Sequence, residues 1–300
     1  MTRKPAVSLV AVPGRRQATL DVAVEFERRG FSGIYSPSLA GDGLSLCLAV
    51  AQRTKTIKLG TSIAPIYMRR PLDFAQTISM IHELSEGRFV FGIGVSHAPV
   101  HARFGYKVGK PLSDIRQFVE DVRGAPRAGD LPPIVLATLR ERMVELAGEI
   151  ADGVVWANGA RSHMQASLAH LPADKRTSDD FFIGNMIPTC ISDDKQAAAA
   201  VMRRTLTGYV MLPNYTNYWA EAGYEEEMAA IRQAAGDQDR LAAAMSDEWL
   251  ADVTLFGSAA EVREGVEAWY EAGVKTPILV PSSTEGGQMR AIEELMAAFD

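Results

Sequence analysis

Two hydrophobic periods alternate along the chain. Short runs rich in β-branched and aromatic residues give way to a turn and then to a stretch with apolar positions at helical spacing. Ala6 to Val12 predicts a first strand, and Gln17 to Arg29 its helix, closed by Gly30. Gly33 to Ser36 predicts strand two and Leu44 to Arg53 the helix behind it. Ile57 to Ser62 reads as strand three, and its helix starts at Pro71, a favourable first helical residue, and runs to Leu84. Arg88 to Ile93 is strand four, with a helix over Pro111 to Arg123. Ile134 to Ala137 is strand five, followed by Glu141 to Ala151; Val154 to Ala157 is strand six, with a helix near His163 to His170. Phe182 to Pro188 is strand seven, with an Ala-rich helix from Asp194. Pro277 to Val280 is strand eight, and a last helix spans Gln288 to Phe299.

Eight strands alternating with helices predict an α/β fold with a parallel sheet, closed as a (β/α)8 TIM barrel. Between about residues 207 and 252, extra helical segments rich in Ala, Glu and aromatics interrupt the alternation. They read as an insertion after strand seven within a single domain of residues 1–300, because no Pro/Gly/Ser-rich linker marks a boundary. Tyr209, Tyr215, Tyr218 and Trp219 in this insertion suit a lid, a small core or a dimer contact.

Composition narrows the function classes. Hydrophobic residues make up 47% and charged residues 23%, which suits a globular chain and not a disordered one. A formal charge of -6 and the lack of a basic stripe argue against nucleic acid as a partner. Cys47 and Cys190 are far apart and lack metal-ligand spacing, as expected in a reducing cytoplasm. The apolar run after the basic Met1 to Lys4 is stopped by Pro13-Gly14-Arg15-Arg16 and reads as a strand, not a signal peptide. No stretch is apolar for long enough to span a bilayer, so no membrane partner is expected.

In a barrel of this kind, chemistry sits at the C-terminal strand ends and in the loops that follow. That rule selects Ser36 to Gly43, Ser62 to Arg70, Gly94 to Lys110, Thr138 to Arg140, Asn158 to Arg161, Pro188 to Ile191 and Pro281 to Gly287. Gly92 and Gly94 omit side chains where backbone approaches something closely, either a ligand or a neighbouring strand, and plain packing is the preferred reading for Gly92. They do not complete a dinucleotide fingerprint. Ala137-Thr138-Leu139-Arg140 leads into a helix whose first N–H groups suit a phosphate, with Arg140 either adding direct charge or lying solvated. Asn158-Gly159 follows strand six and is placed to line the same phosphate end. His97 follows strand four, and its titration range suits proton transfer. His101 lies one helical turn on, but Pro99 between them disfavours a helical zinc pair and no Glu completes that motif, so metal is not expected. Ser36, Ser38 and Asp42 are candidates for substrate contact or for turn chemistry.

Other barrel chemistries lack their residues. A Schiff-base enzyme needs a lysine at a strand end, and Lys58 lies near the start of strand three. A glycosidase needs facing carboxylates, and nothing pairs Asp42 with Glu285. A serine hydrolase needs a nucleophile elbow, which is missing.

Four blocks carry a family resemblance. They are Ile57-Lys58-Leu59-Gly60-Thr61-Ser62-Ile63 with Arg70-Pro71; Leu84-Ser85-Glu86-Gly87-Arg88-Phe89 running into Phe91-Gly92-Ile93-Gly94-Val95-Ser96-His97; Leu146-Ala147-Gly148-Glu149-Ile150-Ala151-Asp152-Gly153-Val154; and Phe256-Gly257-Ser258 with Glu271-Ala272-Gly273-Val274. In order and spacing they resemble the luciferase-like monooxygenase superfamily, and most closely its coenzyme F420-dependent oxidoreductases. The resemblance implies hydride exchange between coenzyme F420 and a small organic substrate. Ser62 and Ile63 would form a bulge with a non-prolyl cis peptide beneath the ring. Gly94, Val95, Ser96 and the loop Ala137, Thr138, Leu139 and Arg140 would line one pocket with them, and His97 would act beside the reactive edge. Many relatives resemble one another in a Gly-Pro pair where this chain has Leu139-Arg140, which alters the expected loop. The runner-up is an FMN-dependent monooxygenase served by a reductase partner. A second alternative is a non-catalytic flavin- or deazaflavin-binding barrel. A homodimer is also compatible with the resemblance.

Overall fold

A computed structural model describes residues 3–38 and 41–300. The chain starts with β1 (Ala6–Ser8), α1 (Arg16–Arg28), β2 (Gly33–Ser36) and α2 (Gly43–Arg53). Helix α1 buries Thr19, Ala23 and Phe26 on one face, as its 3.6-residue period dictates. Asp42 caps α2 by accepting from Leu44 N. Next come β3 (Lys58–Thr61), a two-residue β4 (Ala64–Pro65), α3 (Pro71–Leu84), β5 (Phe89–Gly94), α4 (Ala98–Phe104) and α5 (Pro111–Arg123). Helices α3, α4 and α5 all carry proline in the first turn, where its missing N–H costs nothing. The middle of the chain forms β6 (Ile134–Ala137), α6 (Glu141–Ile150), β7 (Gly153–Ala157), α7 (Met164–Ala169), α8 (Ala173–Thr177) and β8 (Phe182–Ile191). After α9 (Lys195–Leu206) come α10 (Pro213–Glu221), α11 (Glu225–Gln233), α12 (Gln238–Ala244) and α13 (Asp247–Val253), then β9 (Leu255–Gly257), α14 (Ala259–Glu271), β10 (Thr276–Ser282) and α15 (Gln288–Ala298).

Strands β1, β2, β3, β5, β6, β7, β8 and β10, each followed by helix with the short β4 intervening after β3, have the (β/α)8 order that the hydrophobic pattern predicts. The differences are local. Strand one stops at Ser8 instead of Val12, because its partner β2 is short and takes only Val7 and Ser8 in register, opposite Ile34 and Tyr35. Strands β4 and β9 and helices α4 and α8 were not expected; all four are short.

Packing divides the chain into two compact units, Met1–Val155 with His170–Gly184, and Trp156–Ala169 with Asn185–Asp300. In the first, β1, β2, β3, β5, β6 and β7 pair in sequence order and in parallel, with β4 added beside β5. Tyr35 fills the space above Gly60, where a Cβ would lie 2.9 Å from its ring carbons, and its ring is 5.5 Å from that of Phe182. At the opposite strand ends, the buried Arg88 guanidinium donates to the carbonyls of Ser85, Ile57, Ala51 and Thr54 and to Thr54 Oγ1 at 2.8–3.0 Å. Beside it, Glu27 Oε1 accepts from the backbone N–H groups of Lys55, Thr56 and Ile57 at 2.6–3.0 Å. These two side chains satisfy the turn that leads into β3.

In the second unit, β8 pairs in parallel with β9, Thr189 opposite Leu255, and also pairs with β10. Helices α10 to α13 occupy the expected insertion. Tyr215, Tyr218 and Trp219 are buried there, and Trp219 meets Trp249 edge to face at 4.9 Å. Of the three readings open for these aromatics, a small core is the one this packing matches.

Candidate functional site

The first unit gathers the C-terminal ends of β2, β3, β5 and β6. Ser62 N donates to the Ser36 carbonyl at 2.9 Å and Ser38 N to the Ile63 carbonyl at 3.1 Å, so strand two and the Ser62-Ile63 step are held together. The Ser62–Ile63 peptide is cis. The chain then returns to β5, where Ile66 N donates to the Gly94 carbonyl at 3.0 Å. A Cβ on Gly94 would lie 2.9 Å from Ala137 Cβ and 3.2 Å from the Ile63 side chain. Ile63, Gly94 and Ala137 therefore pack closely together, and the missing side chain at Gly94 permits that approach. Gly92 has a different reason: a Cβ there would overlap the Thr61 carbonyl oxygen, so strand packing accounts for it, as expected.

Three hydroxyls at this end are buried without a partner: Ser62 Oγ, Ser96 Oγ and Thr138 Oγ1. Buried polar atoms are nearly always paired, so an orphan group at a strand end points to a missing acceptor or donor. Ser96 also holds φ 63°, a left-handed conformation that non-glycine residues seldom adopt. The backbone from Val95 to His97 is thus a set turn.

His97 forms the N-cap position of α4 and is partly buried. Burial pushes its pKa below the ordinary value, and the neighbouring His101 adds to the effect. The two histidines lie on one turn, since His101 N donates to the His97 carbonyl at 3.0 Å. Pro99 sits in the first turn of α4, where proline is tolerated, so it does not separate the two residues. The His101 ring is committed elsewhere: Nε2 contacts the Val95 carbonyl oxygen at 2.5 Å, and the ring stands edge-on to Tyr67 at 5.7 Å. Tyr67 in turn donates to Asp114 Oδ2 at 2.6 Å, and Asp114 accepts from Gly109 N at 2.8 Å. Desolvation, then the bonded Asp114, raises the Tyr67 pKa.

The remaining candidates fall out as follows. Ser36 and Ser38 are buried at the β2 end. The Asp42 side chain accepts from Leu44 N, Ser45 Oγ and Arg69 Nη2, which is helix-capping and turn chemistry. Leu39 and Ala40, in the same loop, lie outside the described residues. Val95 is partly buried, Leu139 is partly buried, and Arg140 is exposed at the N-cap of α6.

In the second unit, Asn158 takes φ 56° and Gly159 follows it. Trp219 Nε1 donates to the Asn158 carbonyl at 3.1 Å, and Tyr218 Oη accepts from Ala160 N at 3.1 Å. Asn185, on β8, accepts from Gly159 N through Oδ1 at 3.2 Å. The side-chain nitrogens of both asparagines are buried and unpartnered. Sequence reading missed Asn185; the signal available was a lone amide inside the apolar run Phe182 to Pro188. Among the described residues, the group able to offer three metal ligands is Glu141, Glu145 and His170, all exposed. No helix of the described residues is long and apolar enough to cross a membrane.

The chain matches the fold of solved structures along nearly its whole length. A coenzyme F420-dependent tetrahydromethanopterin reductase from Methanopyrus kandleri superposes with a TM-score of 0.77 at 17% identity, over 99% of this chain and all (100%) of that one. An F420-dependent secondary alcohol dehydrogenase, solved with an F420-acetone adduct, gives 0.71 at 15% identity, over 98% of each chain. The fold is therefore a (β/α)8 barrel with flanking helices. A Mycobacterium tuberculosis (strain ATCC 25618 / H37Rv) protein provisionally named as a coenzyme F420-dependent oxidoreductase is 26% identical, covering 95% of this chain and 96% of its own. The luciferase-like monooxygenase family model matches residues 4–276, and the chain belongs to that family of enzymes.

Proposed function

We propose that this enzyme is an oxidoreductase that holds coenzyme F420 and exchanges a hydride between it and a small organic substrate. The observation that carries the reading is the cradle at the ends of β3, β5 and β6. Gly94 brings Ile63 and Ala137 together at one strand end, and the buried hydroxyls of Ser62, Ser96 and Thr138 there lack partners. A planar apolar ring with polar edges suits that combination. The names of the relatives point to the same cofactor. The donor set fits: hydroxyls, backbone amides and no cluster of buried charge.

When bound, the deazaflavin supplies the two-electron hydride chemistry. The protein's part is orientation and a proton. Ser62, Ile63, Gly94, Val95 and Ser96 would hold the ring's position, and the loop Thr138, Leu139 and Arg140 at the start of α6 would meet a phosphate through the Thr138 hydroxyl and the Arg140 cation, the Thr138 N–H being donated to the Val155 carbonyl at 2.9 Å. His97 exchanges a proton at its imidazole with the substrate heteroatom. Ser36 and Ser38 border the substrate side, whereas Asp42 acts on substrate only through the loop it braces.

Separate titrations with coenzyme F420 and FMN, followed by tryptophan fluorescence, test the reading. F420 is expected to bind and FMN to bind more weakly. Tight FMN binding without F420 binding replaces it with the monooxygenase alternative. Failure of both overturns the cofactor site.

A further inference from the structure

One carboxylate ties together the loops that follow β4 and α4. Asp114 lies in the first turn of α5, and its Oδ2 accepts from Tyr67 Oη at 2.6 Å and from Gly109 N at 2.8 Å. Tyr67 belongs to the loop after β4, next to Ile66, whose N–H is donated to the Gly94 carbonyl at 3.0 Å. Gly109 belongs to the connection between α4 and α5, and a Cβ there would lie 2.6 Å from Asp114 Oδ1. The glycine thus lets the backbone close on the carboxylate. Desolvation, and after it the bonded Asp114, raises the Tyr67 pKa, so the hydroxyl stays protonated and donates.

The tie reaches His97 through a ring. Tyr67 stands edge-on to His101 at 5.7 Å, and Tyr106 lies 6.2 Å from Tyr67 and 6.4 Å from His101. His101 meets the Val95 carbonyl through Nε2 at 2.5 Å, and its backbone N–H is donated to the His97 carbonyl at 3.0 Å. Rotation of the His101 side chain would carry Nε2 away from Val95. The Tyr67 edge opposes that rotation, and the bond to Asp114 fixes the edge. A functional side chain keeps its geometry only where packing and hydrogen bonds lock the groups behind it. The turn at stake holds Ser96 at φ 63°, a conformation that persists only where its surroundings enforce it.

We propose that Tyr67 and Asp114 are positioning residues, which act through His101 to hold the turn from Val95 to His97 and so aim the His97 ring. This rests on the role given to His97 above, and neither residue needs to touch the reacting atoms.

The test uses the full chain with isotope-labelled histidine, whose imidazole signals NMR reads without any ligand. The chain has five histidines, and His97→Gln and His101→Gln identify the two signals. In the wild type, the His101 hydrogen is expected on Nε2 and slow to exchange with water. Tyr67→Phe keeps the ring and removes its bond to Asp114. Asp114→Ala removes the acceptor, whereas Asp114→Asn keeps a neutral oxygen able to accept from both partners. Tyr67→Phe and Asp114→Ala are expected to speed exchange of the His101 hydrogen by about tenfold or more. Both should also move the His97 titration midpoint up toward its ordinary value, as the turn opens to water. Asp114→Asn should keep both readouts near the wild type. Coenzyme F420 supplies a second arm: its binding should shift the His97 signal in the wild type and shift it less in Tyr67→Phe. Circular dichroism checks that each variant is folded, and Tyr67→Phe carries the test if Asp114→Ala is not. A wild-type His101 hydrogen on Nδ1 overturns the proposal. So do unchanged His97 and His101 signals in a folded Tyr67→Phe, even where that variant is less stable. F420 that binds without moving the wild-type His97 signal overturns it too, since His97 is then not aimed at the ring. Wild-type protein that binds neither F420 nor FMN fails the cofactor reading instead, and the two ligand-free readouts then decide the positioning role alone.

Discussion

His101 Nε2 lies 2.5 Å from the carbonyl oxygen of Val95. A carbonyl only accepts, so Nε2 carries the hydrogen, and the His101 ring ties the first turn of α4 back to the end of β5. The tie closes around Ser96, in its left-handed conformation, and His97. His97 is thus presented by a braced turn.

His97→Gln is expected to lower turnover by roughly 10²- to 10⁴-fold while leaving cofactor affinity nearly unchanged. Burial and then His101 push the His97 pKa below its ordinary value. In the direction where His97 gives up a proton, the rate should fall as pH rises through that lowered value. The same limb should vanish in His97→Gln. A rate profile identical in both proteins would remove His97 from the chemistry.

Gly92→Ala and Gly94→Ala should separate packing from binding. A methyl group at residue 92 collides with the Thr61 backbone, which cannot retreat without breaking the β3–β5 pairing. That variant should lose about 2–3 kcal/mol or more in denaturant melts. At residue 94 the nearest atoms to the methyl group belong to the Ala137 and Ile63 side chains. Gly94→Ala should cost less stability than Gly92→Ala, because the clash is with side-chain atoms and not with a carbonyl, but should bind the ring at least about tenfold more weakly as Ile63 and Ala137 are pushed out of place. Normal ring affinity in Gly94→Ala would argue against the cradle.

Arg88→Lys should destabilise by roughly 2–4 kcal/mol without altering cofactor affinity. A single ammonium cannot serve acceptors on Ser85, Ile57, Ala51 and Thr54 at once, and each buried carbonyl left unpaired costs about 1–3 kcal/mol. Chemical denaturation beside a binding titration measures both. A weakened affinity at unchanged stability would place Arg88 in a different role.

Glu27 provides a pH-dependent contribution. Partial burial raises its pKa, but the N–H groups of Thr56, Ile57 and Lys55 outweigh that and leave it below the ordinary 4.5. A lowered carboxylate pKa stabilises the fold above about pH 4.5, and that contribution is lost as pH falls through the folded value. Glu27→Gln should cost roughly 1–2 kcal/mol at neutral pH. It should also flatten the acid limb of the stability curve. An unchanged acid limb would show that the three N–H bonds do not favour the ionised form.

Much of the fold is legible along the chain because its causes are local. Helices α3 and α5 occupy the predicted residues, Pro71–Leu84 and Pro111–Arg123, since a first-turn proline and an apolar stripe mark each one. Strands β2 and β6 were equally plain from their apolar runs. The family blocks located the Ser62-Ile63 step and the Gly94 to His97 turn. By contrast, strand length depends on the partner, which is why β1 ends at Ser8 and β9 went unseen beside β8.

The sequence by itself determined the (β/α)8 alternation, the family, and which strand ends carry Ser62, Gly94, Thr138 and Asn158, because periodicity and turn chemistry act over a few neighbours. Only the tertiary structure decided that Asp42 braces a helix and an arginine, that His101 serves the Val95 carbonyl, and that Asn185 reaches Gly159. Those outcomes depend on which hydrogen-bonding groups remain unpaired once distant segments meet. Pairing at that range follows from three-dimensional distance, which the order of residues along one strand does not encode.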